Sequence, residues 1–268
     1  MKAVIIPVRY GSTRFPGKPL ALLSGRPLIQ HVYERSTTAS LVDEVIVATD
    51  SEEILKAVIS FGGRAEMTSP AHSSGTDRIA EVAKRMDYDI IVNVQGDEPL
   101  IRGDMIDDVV RILEDREAGM GTLARVIEDM GEIFNPNVVK VVFDQRGFAH
   151  YFSRAPIPFY RDEFKGLEAA GHGLQVNKKI PGISEKIKQG TSDMRCFKHI
   201  GIYSYHRDVL LRLTGLPQSV LERAEQLEQL RALDNGVKIK VGLTDHETIG
   251  VDTPEDLERV EKWLNLYL

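Results

Sequence analysis

Cysteine is almost missing from this chain of 268 residues: Cys196 stands alone, so no internal disulfide can form. Long apolar runs are missing too, and no window approaches the length of a membrane span. A basic excess is absent, since 34 Lys and Arg face 40 Asp and Glu, for a net charge of -6. That balance excludes a protein that grips nucleic acid through a broad basic face, so any anion site must be local. The N-terminal apolar stretch is short and ends at Pro7 and Arg9, unlike a secretory signal. No internal repeat is found. These absences lead us to expect a cytoplasmic protein with no membrane and no nucleic-acid partner. Composition is otherwise that of a globular domain large enough to bury its own core.

What is present is an alternation of strand and helix. Residues 3–8 form a continuous, β-branched apolar run, which reads as a strand buried on both faces and ended by Pro7. A helix is predicted over 27–38, a strand over 45–48, and a helix capped by Ser51 that stops at Gly62 and Gly63. The rhythm continues with a helix over 77–86, a strand over 90–94 and a helix over 104–116. Strand and helix repeated in this way predict an α/β fold, a parallel sheet with helices on both faces. Beyond Gly121 the pattern changes: strands are expected over 138–143, 149–153, 200–205 and 238–243, a mixed or antiparallel region. Helices are expected over 219–233 and 255–266. The Gly- and Lys-rich stretch 165–192 reads as a surface excursion whose lysines are solvated.

Chemistry concentrates after the first strand. The run Arg9-Tyr-Gly-Ser-Thr-Arg-Phe-Pro-Gly-Lys-Pro19 places glycines, hydroxyls and three cations where a parallel sheet presents its ligand crevice. It is not a P-loop: five residues separate Gly11 from Gly17, and Pro19 stands where a magnesium-binding hydroxyl would be. No dinucleotide fingerprint follows the strand either. A second signal, Asn93-Val-Gln-Gly-Asp-Glu-Pro-Leu100, presents carboxylates beside the same crevice. By itself such a segment is most often a turn. Near the C-terminus, Gly250-Val-Asp-Thr-Pro-Glu-Asp-Leu257 supplies another aspartate, Asp252, which otherwise reads with Thr253 as a cap ahead of Pro254. In Ser73-Ser-Gly-Thr-Asp-Arg78, Ser74 or Thr76 can cap the next helix.

Taken together these segments resemble the 3-deoxy-manno-octulosonate cytidylyltransferase family of sugar nucleotidyltransferases, from about residue 2 to 260. The likeness rests on Arg9, Gly11-Ser-Thr, Arg14 and Pro16-Gly-Lys-Pro-Leu20, on the Ser-Gly-Thr-Asp-Arg and Gly-Asp-Glu-Pro segments, and on three further runs. These are Tyr151-Phe-Ser-Arg-Ala-Pro-Ile-Pro158, Lys198-His-Ile-Gly-Ile-Tyr203 and Leu227-Glu-Gln-Leu-Arg231. It fails over 165–192.

The resemblance implies a Rossmann-like central sheet with a smaller mixed-sheet acceptor and dimerisation region, divided as a CTP-binding part (1–137), a sugar-binding part (138–250) and a returning aspartate loop and helix (251–268). It implies transfer of CMP from CTP to the anomeric hydroxyl of an acidic sugar, which is activated for lipopolysaccharide synthesis, and a homodimer. Arg9, Gly11, Ser12, Arg14, Lys18, Ser74, Gly75, Arg78 and Gln95 are implied on the nucleotide. Gln95, Arg154, His199, Tyr203 and Glu225 are implied on the sugar, and Asp97 and Asp252 on Mg2+. The catalytic set is then Arg9, Lys18, Asp97 and Asp252. Cations around a leaving pyrophosphate are chemically sound, because charge grows there in the transition state. Two aspartates with phosphate oxygens and water suit magnesium. Such an ion lowers the pKa of a bound hydroxyl, so no histidine base is required. Arg154 suits a carboxylate through paired hydrogen bonds. Glu222 fits a capping box with Ser219, which leaves Glu225 as the better candidate for the sugar. Sialic acid or an 8-amino analogue of the octulosonate is not separated from the octulosonate by these residues, and a nucleotide sensor without catalysis would need no aspartate pair.

Overall fold

The computed structural model describes residues 1–11, 15–161, 164 and 195–267; the predicted excursion over 165–192 and the loop residues Ser12 and Arg14 lie outside them. The central strand is β1 (Lys2–Val8), whose last six residues are all buried. Its side chains alternate between two cores. Ala3 and Ile5 pack with Ile79, Ala80 and Leu210 on one face, whereas Val4, Ile6 and Val8 pack with Val32, Ile54 and Ile106 on the other. A strand of continuous β-branched residues is what a sheet covered on both faces requires. Each large aliphatic side chain so buried contributes roughly 1.5–3 kcal/mol.

Strands β4 (Glu44–Thr49), β5 (Ala65–Met67) and β6 (Ile90–Asn93) join β1 in parallel, giving the order β6-β1-β4-β5. A two-stranded ribbon, β2 (Leu22–Leu23) and β3 (Arg26–Pro27), leads into helix α1 (Leu28–Ser36). Helices α2 (Glu52–Ser60), α3 (Gly75–Arg85) and α4 (Gly103–Ile112) follow as predicted, α3 beginning two residues earlier and α4 ending four residues sooner than expected. On the other side of β6 the sheet reverses. The long strand β10 (Phe197–His206) lies antiparallel to β6 and to β7 (Met120–Val126), and β11 (Ile239–Leu243) closes that edge in parallel with β7. A hairpin of β8 (Lys140–Phe143) and β9 (Ala149–Ser153) branches from β10. The fold class is therefore the expected one.

Two sequence expectations are corrected. Strand β7 lies inside the sheet although no strand was expected there. Its Met-Gly-Thr-Leu-Ala-Arg-Val sequence lacks a β-branched run because space forbids one: a Cβ on Gly121 would lie 2.5 Å from Ser204 Oγ and 3.0 Å from the Val109 carbonyl oxygen. The single helix expected over 219–233 is two, α7 (Val220–Glu225) and α8 (Gln229–Asp234), after α5 (Met130–Phe134) and α6 (Arg207–Thr214), which were not foreseen. Gln226 takes a left-handed conformation, φ 54° and ψ 48°, and turns the chain. The reason is a buried ion pair. Arg231 Nε and Nη2 lie 2.8 and 2.5 Å from the Glu222 carboxylate. In an unbroken helix nine residues span about 13 Å, so this pair could not close without the turn.

Candidate active site

The parallel strands β1 and β6 end side by side, and the loops after them wall a cleft of about 340 Å³ at their carboxyl ends. Arg9, Lys18, Ser74, Gly75, Arg78, Gln95, Asp97 and Asp252 all line it. One cleft thus gathers residues predicted from four separated segments. Gly96 is needed for the approach of the two loops, because a Cβ there would sit 2.7 Å from Val8 Cγ2 and 3.2 Å from the Pro7 carbonyl oxygen. Gly17, at φ 70°, starts the 3-10 turn Lys18–Leu20 that aims Lys18 inward.

Lys18 is the centre of the arrangement. Its ammonium donates to Asp97 Oδ2 at 2.6 Å and to the Val251 carbonyl oxygen at 2.7 Å, and it lies 3.4 Å from Asp252 Oδ1. A single cation therefore joins the two carboxylates. The aspartate loops are also tied by their backbones, the Val251 N–H donating to the Asp97 carbonyl oxygen. Thr253, not Asp252, caps the last helix, α9 (Pro254–Tyr267): its hydroxyl accepts from the Asp256 N–H, and Asp256 accepts from the Thr253 N–H. Asp252 is thus spared for the cleft. Behind the pair, burial and the charges of Asp97 and Asp252 push the Glu98 carboxyl up to about 8.

The side of the cleft predicted to hold the nucleotide is equally built. Ser74 caps α3 by accepting from the Asp77 N–H, and Gly75 begins a helix of 11 residues whose positive end faces the cleft. Arg78 is 3% exposed and is held by Asp50 at 2.7 Å and by the Thr68 hydroxyl, so it is fixed before any ligand arrives. Arg9 and Gly11 are exposed.

A second, smaller cavity of about 100 Å³ adjoins the first, with Gln95 on the walls of both. Thr76, Asn93, Tyr203, Tyr205, Glu228 and Gln229 line it. Two of its buried polar atoms, Glu228 Oε1 and Gln229 Nε2, have no hydrogen-bond partner among the described residues. Burial raises the pKa of Glu228, whose other oxygen accepts from the Thr76 hydroxyl. An orphaned acceptor and donor in one cavity leave two hydrogen bonds to be made by whatever occupies it. Glu228 was not among the predicted residues, although it stands in the quoted Leu-Glu-Gln-Leu-Arg run; the turn at Gln226 is what swings it inward.

Other predicted sugar residues are placed differently. Tyr203 lines the second cavity, but Arg154, His199 and Glu225 line neither. The Arg154 guanidinium donates to carbonyl oxygens of Pro136, Glu225 and Gln226. Glu225 accepts from the Ser153 hydroxyl and the Arg154 N–H. Lys140, fully buried and with its pKa pushed down to about 8 by that burial, holds the same loop through three carbonyls, one of them of Arg154. His199 stands edge-on to Phe152 and 2.9 Å from the Thr122 hydroxyl, which itself donates to the Ile202 carbonyl at 2.7 Å, so His199 Nε2 is the donor. Burial lowers its pKa to about 3 and keeps it neutral. His199 packs against the Tyr203 ring, centroids 5.2 Å apart, while Arg154 and Glu225 tie the end of β9 to the turn at Gln226.

Comparison with known proteins bears on the family and the fold. A cytidylyltransferase family model matches residues 3–239. The 3-deoxy-manno-octulosonate cytidylyltransferase of Thermodesulfovibrio yellowstonii is 51% identical over 271 residues, with 98% of each chain covered. That of Geotalea uraniireducens is 54% identical over 257 residues, with 96% of each covered. The chain belongs to the 3-deoxy-manno-octulosonate cytidylyltransferase family. A solved structure of CMP:2-keto-3-deoxy-manno-octonic acid synthetase complexed with CTP superimposes on this cytidylyltransferase with a TM-score of 0.84 at 40% identity, covering 100% of this chain and 99% of that one. The 4-diphosphocytidyl-2C-methyl-D-erythritol synthase of Anaerococcus prevotii, at 13% identity and a TM-score of 0.59, shares the fold alone.

Proposed function

We propose that this cytidylyltransferase transfers CMP from CTP to the anomeric hydroxyl of 3-deoxy-manno-octulosonate, releasing pyrophosphate. The observation that carries this reading is the pair of adjoining cavities, one cationic with two aspartates and one lined by hydroxyls and amides, sharing Gln95. CTP occupies the larger, its phosphates against Arg9, Lys18 and the start of α3. The sugar enters the smaller, where Glu228 and Gln229 meet its hydroxyls and Gln95 keeps its anomeric end toward the α-phosphorus. Lys18 and Arg9 neutralise the pyrophosphate as it leaves, and their value is greatest when that charge is largest.

Mg2+ belongs to the same proposal. Asp97 and Asp252 come from separate loops and converge on a single cation, the Lys18 ammonium, which suits an ion that takes two carboxylates and completes its shell with phosphate oxygens and water. When bound, it would polarise the α-phosphate and acidify the sugar hydroxyl. Two-fold association through the antiparallel half, 138–250, is also part of this reading, and Phe159 and Leu243, each 58% exposed there, support it. Among the described residues no helix is long and apolar enough to cross a membrane. That supports the cytoplasmic setting we propose.

Steady-state kinetics with Gln229→Ala test the acceptor site. The KM for the sugar is expected to rise about tenfold or more, as for loss of a buried hydrogen-bond donor, with the KM for CTP nearly unchanged. An unchanged sugar KM would refute the assignment of the second cavity.

A further inference from the structure

A third cavity, of about 530 Å³, lies on the far side of the Lys18 segment between the β2–β3 ribbon, α1 and α9, lined by Ser24, Arg26, His31, Glu34, Arg35 and Leu264. Its charges are unevenly matched. Arg26 pairs with Glu34 at 2.6 Å, and the other Glu34 oxygen accepts from Gln30. Arg102 is paired with Asp104. The Arg35 guanidinium has neither an ion pair nor a hydrogen bond among the described residues. It is partly buried, and burial with the nearby charges of Arg102 and Arg26 lowers its pKa. A desolvated guanidinium beside two other cations is costly unless an anion joins it. The floor is preformed as well. His31, 5% exposed, is fixed by its Nε2 on the Leu23 carbonyl oxygen at 2.7 Å, and the Ser24 N–H is fixed on Glu261 of α9 at 3.0 Å.

We propose that this cavity binds a small phosphate-bearing ligand, with the Arg35 guanidinium as its anchor, Arg26 at its rim and Leu264 as an apolar wall. A guanidinium fork matches phosphate oxygens in pairs, and the volume leaves room for a short organic group beside the phosphate. The ribbon follows directly on Lys18–Leu20, and α9 begins two residues after Asp252, so the occupant touches two elements that also hold the catalytic cluster. The site is separate from the CTP cleft and does not depend on the reaction assigned there.

Inorganic phosphate tests this at constant ionic strength, in an Arg9→Ala, Lys18→Ala background that weakens phosphate binding at the CTP cleft. The only tryptophan, Trp263, precedes Leu264 on α9 and reports occupancy by its emission. A saturable change is expected, with a matching rise in Tm. Adding Arg35→Ala weakens it about tenfold or more, the effect of losing a charge-assisted pair of hydrogen bonds. Arg35→Gln, which keeps part of the aliphatic stem and a polar end but carries no charge, should lose it too and stands in should the alanine variant fold poorly. No saturable change in the parent background, or equal phosphate affinity after either substitution, would overturn the proposal.

Discussion

Lys18→Ala is expected to lower kcat/KM for CTP by about 10²–10³-fold, the usual cost of removing one preorganised group that stabilises transition-state charge. Two effects combine. The pyrophosphate loses a cation that needs no reorganisation at the moment of transfer, because Lys18 is already held by Asp97, Asp252 and the Val251 carbonyl. The aspartates also lose the ammonium that joins them and are left as like charges on adjacent loops. Lys18→Arg should rescue little: a planar guanidinium does not fit a site that receives a point charge from three sides, on a side chain only 13% exposed. Steady-state kinetics with both variants would check this, and near wild-type turnover for the alanine variant would show that Lys18 is a structural tie.

The largest effect on stability is expected from Glu222→Ala, about 3–5 kcal/mol in denaturant unfolding, since it leaves the Arg231 guanidinium buried without its partner. Glu222 is 4% exposed and Arg231 is 8% exposed. The loss has a functional side, because Arg231 lines the second cavity and lies 3.8 Å from Glu228. Replacing both members together, as Glu222→Leu with Arg231→Met, should recover much of the stability. It should not recover sugar affinity, because the turn that presents Glu228 and Gln229 is closed by this pair. If Glu222→Ala unfolds within 1 kcal/mol of wild type, roughly the worth of an exposed ion pair, the turn is held by something else.

Sequence carried the fold where a residue's neighbours along the chain determine its role. The run through β1 could be read because a strand covered on both faces needs β-branched residues throughout, and the caps of α2 and α3 because Ser51 and Ser74 act within their own first turns. Arg9, Lys18 and Asp97 were legible as candidates because each stands in a loop after a strand, where a parallel sheet opens its crevice; their grouping with Asp252 came from the family resemblance, since Asp252 alone reads as a helix cap. Strand β7 was not, since its small residues answer to Ser204 and Val109, far off in sequence. The second cavity was only half legible for the same reason. A single helix was expected over 219–233 with Glu225 toward the sugar, but a pairing across nine residues breaks that helix, sends Glu225 to the Arg154 loop and brings in Glu228. Spacing rules describe a helix that stays whole, and this one does not.

The most direct measurement of the central claim is product analysis of wild-type enzyme given CTP, 3-deoxy-manno-octulosonate and millimolar Mg2+. Equal amounts of pyrophosphate and CMP-sugar are expected, with neither formed when the sugar is left out. Pyrophosphate release that ignores the sugar, or no release at all with both substrates present, would contradict the account.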